Sequence, residues 1–185
     1  MKINVVTHNP GKVREYQSEF GEFGIEMVHV NREYDEVQTS YLEEVVDKGM
    51  KQLQREGLEN FMVDDSGLFI NALKGFPGVY SAFVQKTVGN KGVLRLMEGV
   101  EDRSAVFKCC IGCTIGDERI VVTGTCPGVI LFEEKGDGGF GYDPIFSPNG
   151  ELSFAEIPTE VKNEISHRGN ATRMLIEEMK SRGLL

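Results

Sequence analysis

Basic residues are scarce in this chain, and their scarcity narrows the possible partners. Among its 185 residues, 20 Lys and Arg stand against 29 Asp and Glu, so the formal net charge is −9 at pH 7. Surfaces that bind nucleic acids or anionic membranes need an excess of basic residues. The sequence therefore predicts no nucleic-acid partner and no membrane partner. A small cationic pocket for one anionic ligand stays compatible with this charge.

Long hydrophobic runs are absent as well. No apolar stretch approaches the length of a membrane-spanning helix, and the first twenty residues lack the apolar core of a signal peptide. We therefore expect a cytoplasmic protein. The hydrophobic fraction of 40% and the charged fraction of 26% are typical of a globular protein, and we predict one domain over residues 1–185.

Cysteine occurs only four times, as Cys109, Cys110, Cys113 and Cys126. Cys110 and Cys113 form a Cys-x-x-Cys pair, which could indicate redox or zinc chemistry. A zinc site needs about four ligands, however, and no second ligand pair stands nearby. Residues 105–115 alternate as in a β-strand, so we interpret the cysteines as small core residues. Metal or redox chemistry is the weaker alternative.

The start of the chain predicts a βαβ unit. Residues 3–7 form a strand pattern, Asn9 and Pro10 match the N-cap and first position of a helix, and residues 25–30 form a second strand pattern. Such a unit is parallel and right-handed.

The remaining patterns predict an α/β fold with a mixed sheet and no internal repeat. A second helix is expected from Ser40, because Ser40 and Glu43 match a capping box, to about Gly57. The other predicted elements are helices over 90–98 and 166–182, strands over 61–70, 104–115, 119–125 and 128–132, loops over 73–81 and 135–144, and a turn over 158–163. The last helix presents the apolar stripe Ala171, Met174, Leu175 and Met179.

The adjacent carboxylates Asp64 and Asp65 are the first candidates for chemistry. Strand-forming residues on both sides would hold them at a strand end or a sharp bend. Side chains alternate along a strand, so the two carboxylates would point to opposite faces. Asp, Ser and Gly are also ordinary turn residues. The pair therefore becomes significant only with support from elsewhere in the chain.

The loop from Thr7 to Lys12 offers one such support. A strand that runs into a helix start presents backbone N–H groups and a positive dipole end to an anion, and Lys12 adds a charge. The glycine spacing of a P-loop is absent. A capped helix with a surface lysine is an equally good interpretation of this loop alone.

Two later segments could bind a planar ring. Phe140, Tyr142 and Asp143 lie in glycine-rich backbone, which suits stacking on a ring and reading its edge. His167 and Arg168 precede Gly169 at a helix start and form a second candidate anion or carbonyl site.

Taken in order, these motifs resemble the inosine triphosphate pyrophosphatase family, also called dITP/XTP diphosphatases. The similarity covers residues 7–169 and is specific because the whole ordered set is present. The matching motifs are Thr7-x-Asn9-x-x-Lys12, Asp64-Asp65-Ser66-Gly67-Leu68, Gly75-x-Pro77-Gly78-Val79-Tyr80-Ser81, Gly138-Gly139-Phe140-Gly141-Tyr142-Asp143-Pro144 and Ser166-His167-Arg168-Gly169.

The resemblance implies a fold and an activity. The expected fold is an elongated mixed β-sheet flanked by helices, with two lobes around a central cleft, in a homodimer. The expected activity is Mg²⁺-dependent hydrolysis of ITP, dITP and XTP, which are non-standard purine nucleoside triphosphates, to the monophosphate and pyrophosphate by water attack at the α-phosphorus. Such an activity would cleanse the nucleotide pool.

The resemblance also implies roles for individual residues. Asp65 and Lys48 would be catalytic, with Asp65 the general base for water, and Glu36 and Asp65 would bind Mg²⁺. The substrate-binding residues would be Thr7, His8, Asn9, Pro10, Gly11 and Lys12 for the triphosphate, Ser66 as a further contact, and Phe140, Gly141, Tyr142, Asp143, Lys162, His167 and Arg168 for the base. Asp64 would brace the site, with Lys48 as a candidate partner.

The chain departs from the family pattern on the second helix. Glu44, Val45 and Gly49 stand where Asn, Ala and Ala are more usual, although Lys48 still aligns. Glu36 lies in a weakly patterned segment and is the least secure of the assigned ligands.

Physical arguments support the implied roles. Mg²⁺ takes oxygen ligands and commonly only one or two carboxylates, so Glu36 and Asp65 suffice. Donors at His167 and Arg168 match the 6-carbonyl of inosine or xanthosine, whereas the 6-amino group of adenine would leave a buried donor unpaired, at about 1–3 kcal/mol. GTP shares the 6-carbonyl, so its rejection would need the shape of the pocket.

Two alternatives differ in function class. The first is a sensor that holds a nucleoside triphosphate without cleaving it, against which the carboxylate Asp65 argues. The second is a pyrophosphatase for modified pyrimidine nucleotides.

Overall fold

The computed structural model describes residues 1–35 and 37–185. Its helices and strands are β1 (Lys2–Val6), α1 (Pro10–Gly21), β2 (Glu26–Val30), α2 (Leu42–Arg55), β3 (Phe61–Ile70), β4 (Pro77–Gly78), α3 (Ser81–Thr87), α4 (Gly89–Leu96), β5 (Ser104–Ile115), β6 (Glu118–Ile130), β7 (Phe146–Ser147), α5 (Thr159–Ile165) and α6 (His167–Ser181). In these two ranges, no helix is long and apolar enough to cross a membrane.

The described strands form one seven-stranded mixed sheet. Its order is β2-β1-β3-β5-β6-β7, and β4 pairs with β3 off this path. β1 is parallel to both β2 and β3, whereas β3, β5, β6 and β7 pair antiparallel in succession. The predicted α/β class, the mixed sheet and the parallel βαβ unit are confirmed.

Helices cover both faces of the sheet, as expected. α1 and α6 pack on one face in an apolar cluster that includes Tyr16, Phe20 and Leu175. α2 packs on the opposite face through Val46 and Met50. A separate cluster around Phe107, Phe146 and Phe154 joins α3 and α4 to the far end of the sheet.

Two glycines let helices approach the sheet closely. A Cβ at Gly124 on β6 would collide with the backbone of α6 at His167 and Ala171. A Cβ at Gly112 on β5 would collide with Val46 and Met50 of α2. The start of α6, with its functional candidates, therefore rests directly on the sheet.

The central strand β3 is paired unevenly along its two edges. β5 covers one edge from Phe61 to Ile70. On the other edge, β1 pairs with residues 61–63 and β4 with Leu68 and Phe69. Among the described residues, no strand covers that edge over residues 64–67. We call residues 64–67 on this side the open edge of β3.

The predicted position of the acidic pair at a strand end or bend was wrong. Asp64 and Asp65 lie in the middle of a continuous ten-residue strand and not at a strand end or a sharp bend. β3 continues because β5 pairs with it throughout. What ends at this point is the neighbouring strand β1.

Several predicted boundaries were wrong. α2 begins at Leu42 without a side-chain cap, and Glu44 accepts a hydrogen bond from Thr39, so the Ser40–Glu43 capping box does not form. The two strands predicted over 119–125 and 128–132 are one strand, β6. The predicted turn at 158–163 falls largely in helix α5, and the predicted loop over 73–81 contains β4 and leads into α3.

The predicted apolar stripe of α6 was correct except at Met174. Met174 is 43% exposed, whereas Ile176, outside the predicted stripe, is buried.

The cysteines are free and buried, as the sequence-based interpretation expects. Cys110 packs against α2, whereas Cys113 packs on the opposite face with α1 and α6, so the two sulfurs of the Cys-x-x-Cys pair diverge. Burial raises the pKa of both thiols to about 12. The thiolates needed for metal or redox chemistry are therefore disfavoured.

Candidate active site

The loop between β1 and α1 is built around Asn9. The Asn9 side chain accepts hydrogen bonds from the backbone N–H groups of Gly11 (2.8 Å) and Lys12 (3.4 Å), and Pro10 is the first helical residue. Thr7 Oγ1 accepts from the Asn9 N–H. The predicted helix cap is confirmed. It directs the Lys12 side chain toward the open edge of β3.

Asp64 is buried and paired with two cations. Its Oδ2 lies 2.8 Å from Lys12 Nζ and 3.8 Å from Arg168 Nε. Burial alone would raise the pKa of Asp64, but Lys12 and Arg168 outweigh it and lower the pKa below its ordinary value. Lys12 and Arg168 therefore hold Asp64 in place, and the suggested pairing of Asp64 with Lys48 was wrong.

Asp65 and Ser66 lie on opposite sides of β3. Asp65 is opposite Cys110 in the ladder, on the α2 face, and its Oδ1 accepts the Ser66 N–H at 3.0 Å. Ser66 Oγ lies 3.2 Å from Arg168 Nη2, on the same face as Asp64. The predicted separation of the two carboxylates is confirmed, and Asp65 stands half-buried at the open edge.

Glu15 on α1 is a partner that sequence reasoning missed. Its carboxylate lies 3.0 Å from Lys162 Nζ and 2.5 Å from Arg168 Nη1, and all three side chains are buried. Burial would raise the pKa of Glu15, but Arg168 and Lys162 outweigh it and hold the pKa below its ordinary value. The only local signal was the position of Glu15 beside the apolar stripe of α1. Glu15 thus ties α1 to α5 and α6.

The glycine-rich loop brings Phe140 and Asp143 to the same cations. Asp143 Oδ2 lies 2.8 Å from Lys162 Nζ and accepts the Phe140 N–H at 2.8 Å. Lys162 Nζ is 5.1 Å, and the Arg168 guanidinium carbon 5.6 Å, from the centroid of the Phe140 ring. Burial raises the pKa of Asp143 above its ordinary value despite Lys162. The Phe140 ring also covers the space that a Cβ at Gly11 would occupy.

Other residues of this loop anchor it. Tyr142 is buried and donates its hydroxyl hydrogen bond to the Ser81 carbonyl at 2.7 Å. The Gly141 carbonyl accepts from the side-chain amides of Gln85 (3.0 Å) and Asn90 (3.1 Å). Of the two predicted stacking aromatics, Phe140 lies beside the cations, whereas Tyr142 is part of the core.

His167 is buried at the start of α6, next to the capping residue Ser166. Its ring stacks on Phe107 with centroids 4.5 Å apart and planes 9° apart. Burial, reinforced by Arg168 and Lys162, lowers the pKa of His167 well below its ordinary value. The imidazole is therefore neutral and can act as both donor and acceptor.

Several buried polar atoms at this site lack a hydrogen-bond partner within the described residues. They are Asp64 Oδ1, Arg168 Nε, His167 Nδ1, Gln85 Oε1 and Asn90 Oδ1. Buried polar atoms in proteins are normally paired. Their concentration here is expected where a bound polar molecule or ordered water completes the hydrogen bonding.

Two predicted site residues lie apart from this cluster. Lys48 is exposed on α2, and His8 is exposed and interacts with Asn31 and Glu33. Glu36, predicted as a metal ligand, lies outside the described residues. Within the described residues, no group of three or more His, Cys, Asp or Glu side chains could hold a metal ion. One half-buried carboxylate at an open edge fits Mg²⁺, which commonly keeps its waters and takes one or two protein carboxylates.

The fold and the site define an α/β protein with a cluster of buried charged side chains beside the open edge of its central strand. Residues 3–178 match the family model described as Ham1 family. The chain is 51% identical to the dITP/XTP pyrophosphatase of Pyrococcus horikoshii over 97% of each chain. It is 48% identical to the dITP/XTP pyrophosphatase of Thermococcus kodakarensis, over 97% of this chain and 98% of the relative.

A solved structure shows the same fold. The Ham1 protein of Staphylococcus aureus superposes with a TM-score of 0.83 at 28% identity, covering 98% of this chain and 100% of that one. The chain belongs to the Ham1 family, and the family resemblance seen in its motifs is confirmed.

The half-buried carboxylate of Glu19, one helical turn beyond Glu15, gives a testable pH dependence. Burial raises the pKa of Glu19 from 4.5 to about 7. Between pH 4.5 and about pH 7 the folded chain binds more protons than the unfolded chain. The free energy of unfolding therefore falls as the pH rises through this range. We expect Glu19→Gln to stabilise the protein at pH 8, by up to about 3 kcal/mol, and to change little at pH 5.

Urea unfolding at pH 5 and pH 8 measures this difference. Glu22→Gln, at the exposed end of the same helix, is the matched control. Equal effects of Glu19→Gln at the two pH values would contradict the assignment.

Proposed function

We propose that this chain hydrolyses non-standard purine nucleoside triphosphates, namely ITP, dITP and XTP, to the monophosphate and pyrophosphate. The observation that carries the proposal is the meeting of the loop before α1, the acidic pair and the buried cations at the open edge of β3. The names of close relatives support the substrate class.

Binding of the triphosphate would use the residues around Asn9, the N-cap of α1. Lys12 lies 2.8 Å from Asp64 and can contribute its charge to a phosphate near the open edge. Thr7, Asn9 and Gly11 supply polar groups at the positive end of the α1 dipole. Lys48 is a further cation, exposed on α2, and would add its charge to the binding of the triphosphate.

Asp65 is the proposed general base. Its carboxylate is held at the open edge by the Ser66 N–H, on the face away from Asp64. That fixed position lets it orient a water molecule and accept its proton during attack on the α-phosphorus. Mg²⁺ held by Asp65 and Glu36 would neutralise charge on the pyrophosphate leaving group.

Recognition of the purine base would use the buried side chains of Arg168 and His167. Arg168 is held between Glu15 and Ser66, and the neutral His167 is held by stacking on Phe107. Both can donate to a 6-carbonyl, whereas adenine would present an amino group. The Phe140 ring, next to Lys162 and Arg168, would stack on the purine.

The proposal also covers assembly and location. We propose that residues 1–185 act as one domain in a cytoplasmic homodimer, since the substrates belong to the cytoplasmic nucleotide pool. Exposed apolar side chains near α3 and α4 support an interface there, namely Phe76, Tyr80, Phe83, Val88 and Leu96.

Sedimentation equilibrium should give twice the chain mass, and Phe83→Asp should shift the protein toward monomer. A monomeric parent protein would contradict the assignment.

A panel of triphosphates with Mg²⁺ tests the activity. ITP, dITP and XTP should release pyrophosphate, while ATP and modified pyrimidine triphosphates should be poor substrates. Orthophosphate as the first product would refute attack at the α-phosphorus. Tight binding without any product would favour the sensor.

Substitution of Asp65 tests the mechanism. Asp65→Asn should lower kcat for ITP by about 10²–10⁴-fold, because the amide cannot accept the proton from water. Calorimetry should show nearly unchanged binding of ITP. Asp117→Asn, in the turn between β5 and β6, is the control. Loss of binding with normal turnover of the remaining complex would refute the assigned role.

A further inference from the structure

The segment that follows β2 reaches the open edge of β3 through Tyr34. We call residues 31–35 the strap. The Tyr34 hydroxyl donates to the carbonyl of Asp64 at 3.4 Å, and Lys12 Nζ lies at the same distance from that carbonyl. Tyr34 therefore contacts β3 where the acidic pair lies.

The ring of Tyr34 rests on helix α2 at Gly49. A Cβ at Gly49 would lie 2.7 Å from Tyr34 Cδ2 and 2.8 Å from Cε2, closer than real contacts allow. The ring thus occupies the space that any other residue at position 49 would fill. The contact with the Tyr34 ring gives a physical reason why Gly49 stands where the family pattern more usually has Ala.

The residue after Tyr34 is also tied to α2. The backbone N–H of Asp35 donates to Gln52 Oε1 at 2.8 Å. At the start of the strap, Asn31 Oδ1 accepts a hydrogen bond from His8 Nδ1, and the Arg32 N–H donates to the Val30 carbonyl. At its other end, the strap is held at Tyr34 and Asp35.

These contacts connect β3 and α2, the two elements that carry residues of the proposed site. Tyr34 joins β3, which carries Asp65, to α2, where Lys48 directly precedes Gly49. Anchoring Tyr34 on both elements fixes the spacing of β3 and α2 next to Asp65.

We propose that Tyr34 and Gly49 are a matched pair that fixes the strap across the open edge of β3. Tyr34 is then a positioning residue for the metal side of the site, and this role rests on the proposed function. The hydroxyl sets the distance to β3, and the ring sets the distance to α2. The metal fits the donor chemistry of Asp65, so a loosened strap should weaken metal binding more than base recognition.

Two substitutions separate the contributions of the hydroxyl and the ring. Tyr34→Phe removes the hydrogen bond to Asp64 and should weaken metal binding about three- to tenfold. Gly49→Ala keeps the hydroxyl but displaces the ring, and should weaken metal binding about tenfold or more. Because the residues act as one unit, the double variant should be little worse than Gly49→Ala alone.

Metal binding is measured without turnover. Mn²⁺ is titrated against the full chain with the α,β-methylene analogue of ITP and followed by electron paramagnetic resonance. The Mg²⁺ concentration for half-maximal pyrophosphate release from ITP is measured in parallel. We expect both values to rise in the variants, while kcat at saturating Mg²⁺ and binding of IMP stay within about twofold.

Matched controls come from the same chain. Gly21→Ala places a Cβ at the end of α1, where nothing lies within 4 Å. Tyr41→Phe removes an exposed hydroxyl from the residue directly before α2. Neither control should change the metal affinity.

The outcomes are distinct. Unchanged Mn²⁺ affinity in both variants would overturn the proposal, and so would a lower melting temperature with unchanged metal affinity. An inactive parent protein would refute the proposed function, while the Mn²⁺ titration would still decide the role of Tyr34.

Discussion

The buried ion pairs of Arg168 are the constraint on which the rest of the site depends. The guanidinium contacts Glu15 of α1 and lies beside Asp64 of β3, and Lys162 of α5 shares Glu15 with it. Removing one partner of a buried pair leaves an uncompensated charge, which costs several kcal/mol. These elements must therefore come together for any one of these charges to be tolerated. The same contacts that close the fold place the polar groups of the pocket.

The second constraint is the interruption in the pairing of β3. β1 leaves the strand after Val63, and β4 joins it at Leu68. Between them, side chains hydrogen-bond to the backbone: Lys12 Nζ and the Tyr34 hydroxyl donate to the Asp64 carbonyl, and the Ser66 N–H donates to Asp65 Oδ1. Because β5 holds the other edge, the strand continues through Asp65. A rigid strand with one exposed edge provides fixed functional groups and access for a ligand at the same place.

The elements that could be predicted from sequence are those with local signals. Asn9 and Pro10 gave the start of α1, and Ser166 gave the start of α6. α3 lacked such a signal, since Ser81 uses its hydroxyl for β3 and not as a helix cap. The ordered motifs identified most of the residues that converge at the site. Glu15 was missed because a charged residue beside an apolar stripe is usually exposed. Its burial depends on Lys162 and Arg168, about 150 positions away in the chain.

The neutrality of His167 has a consequence for recognition. Its imidazole is uncharged, and the charge of Arg168 is already balanced by Glu15 and Asp64. The part of the pocket assigned to the base therefore exerts little net attraction on a charged group. It distinguishes ligands by the arrangement of their donors and acceptors, a comparison that dissolved salt hardly disturbs. In the proposed function, attraction for the phosphates would depend on Lys12, which is largely buried beside Asp64, and on the exposed Lys48, and only the contribution of Lys48 would weaken strongly with ionic strength. Affinity and selectivity would then be carried by two different kinds of electrostatics.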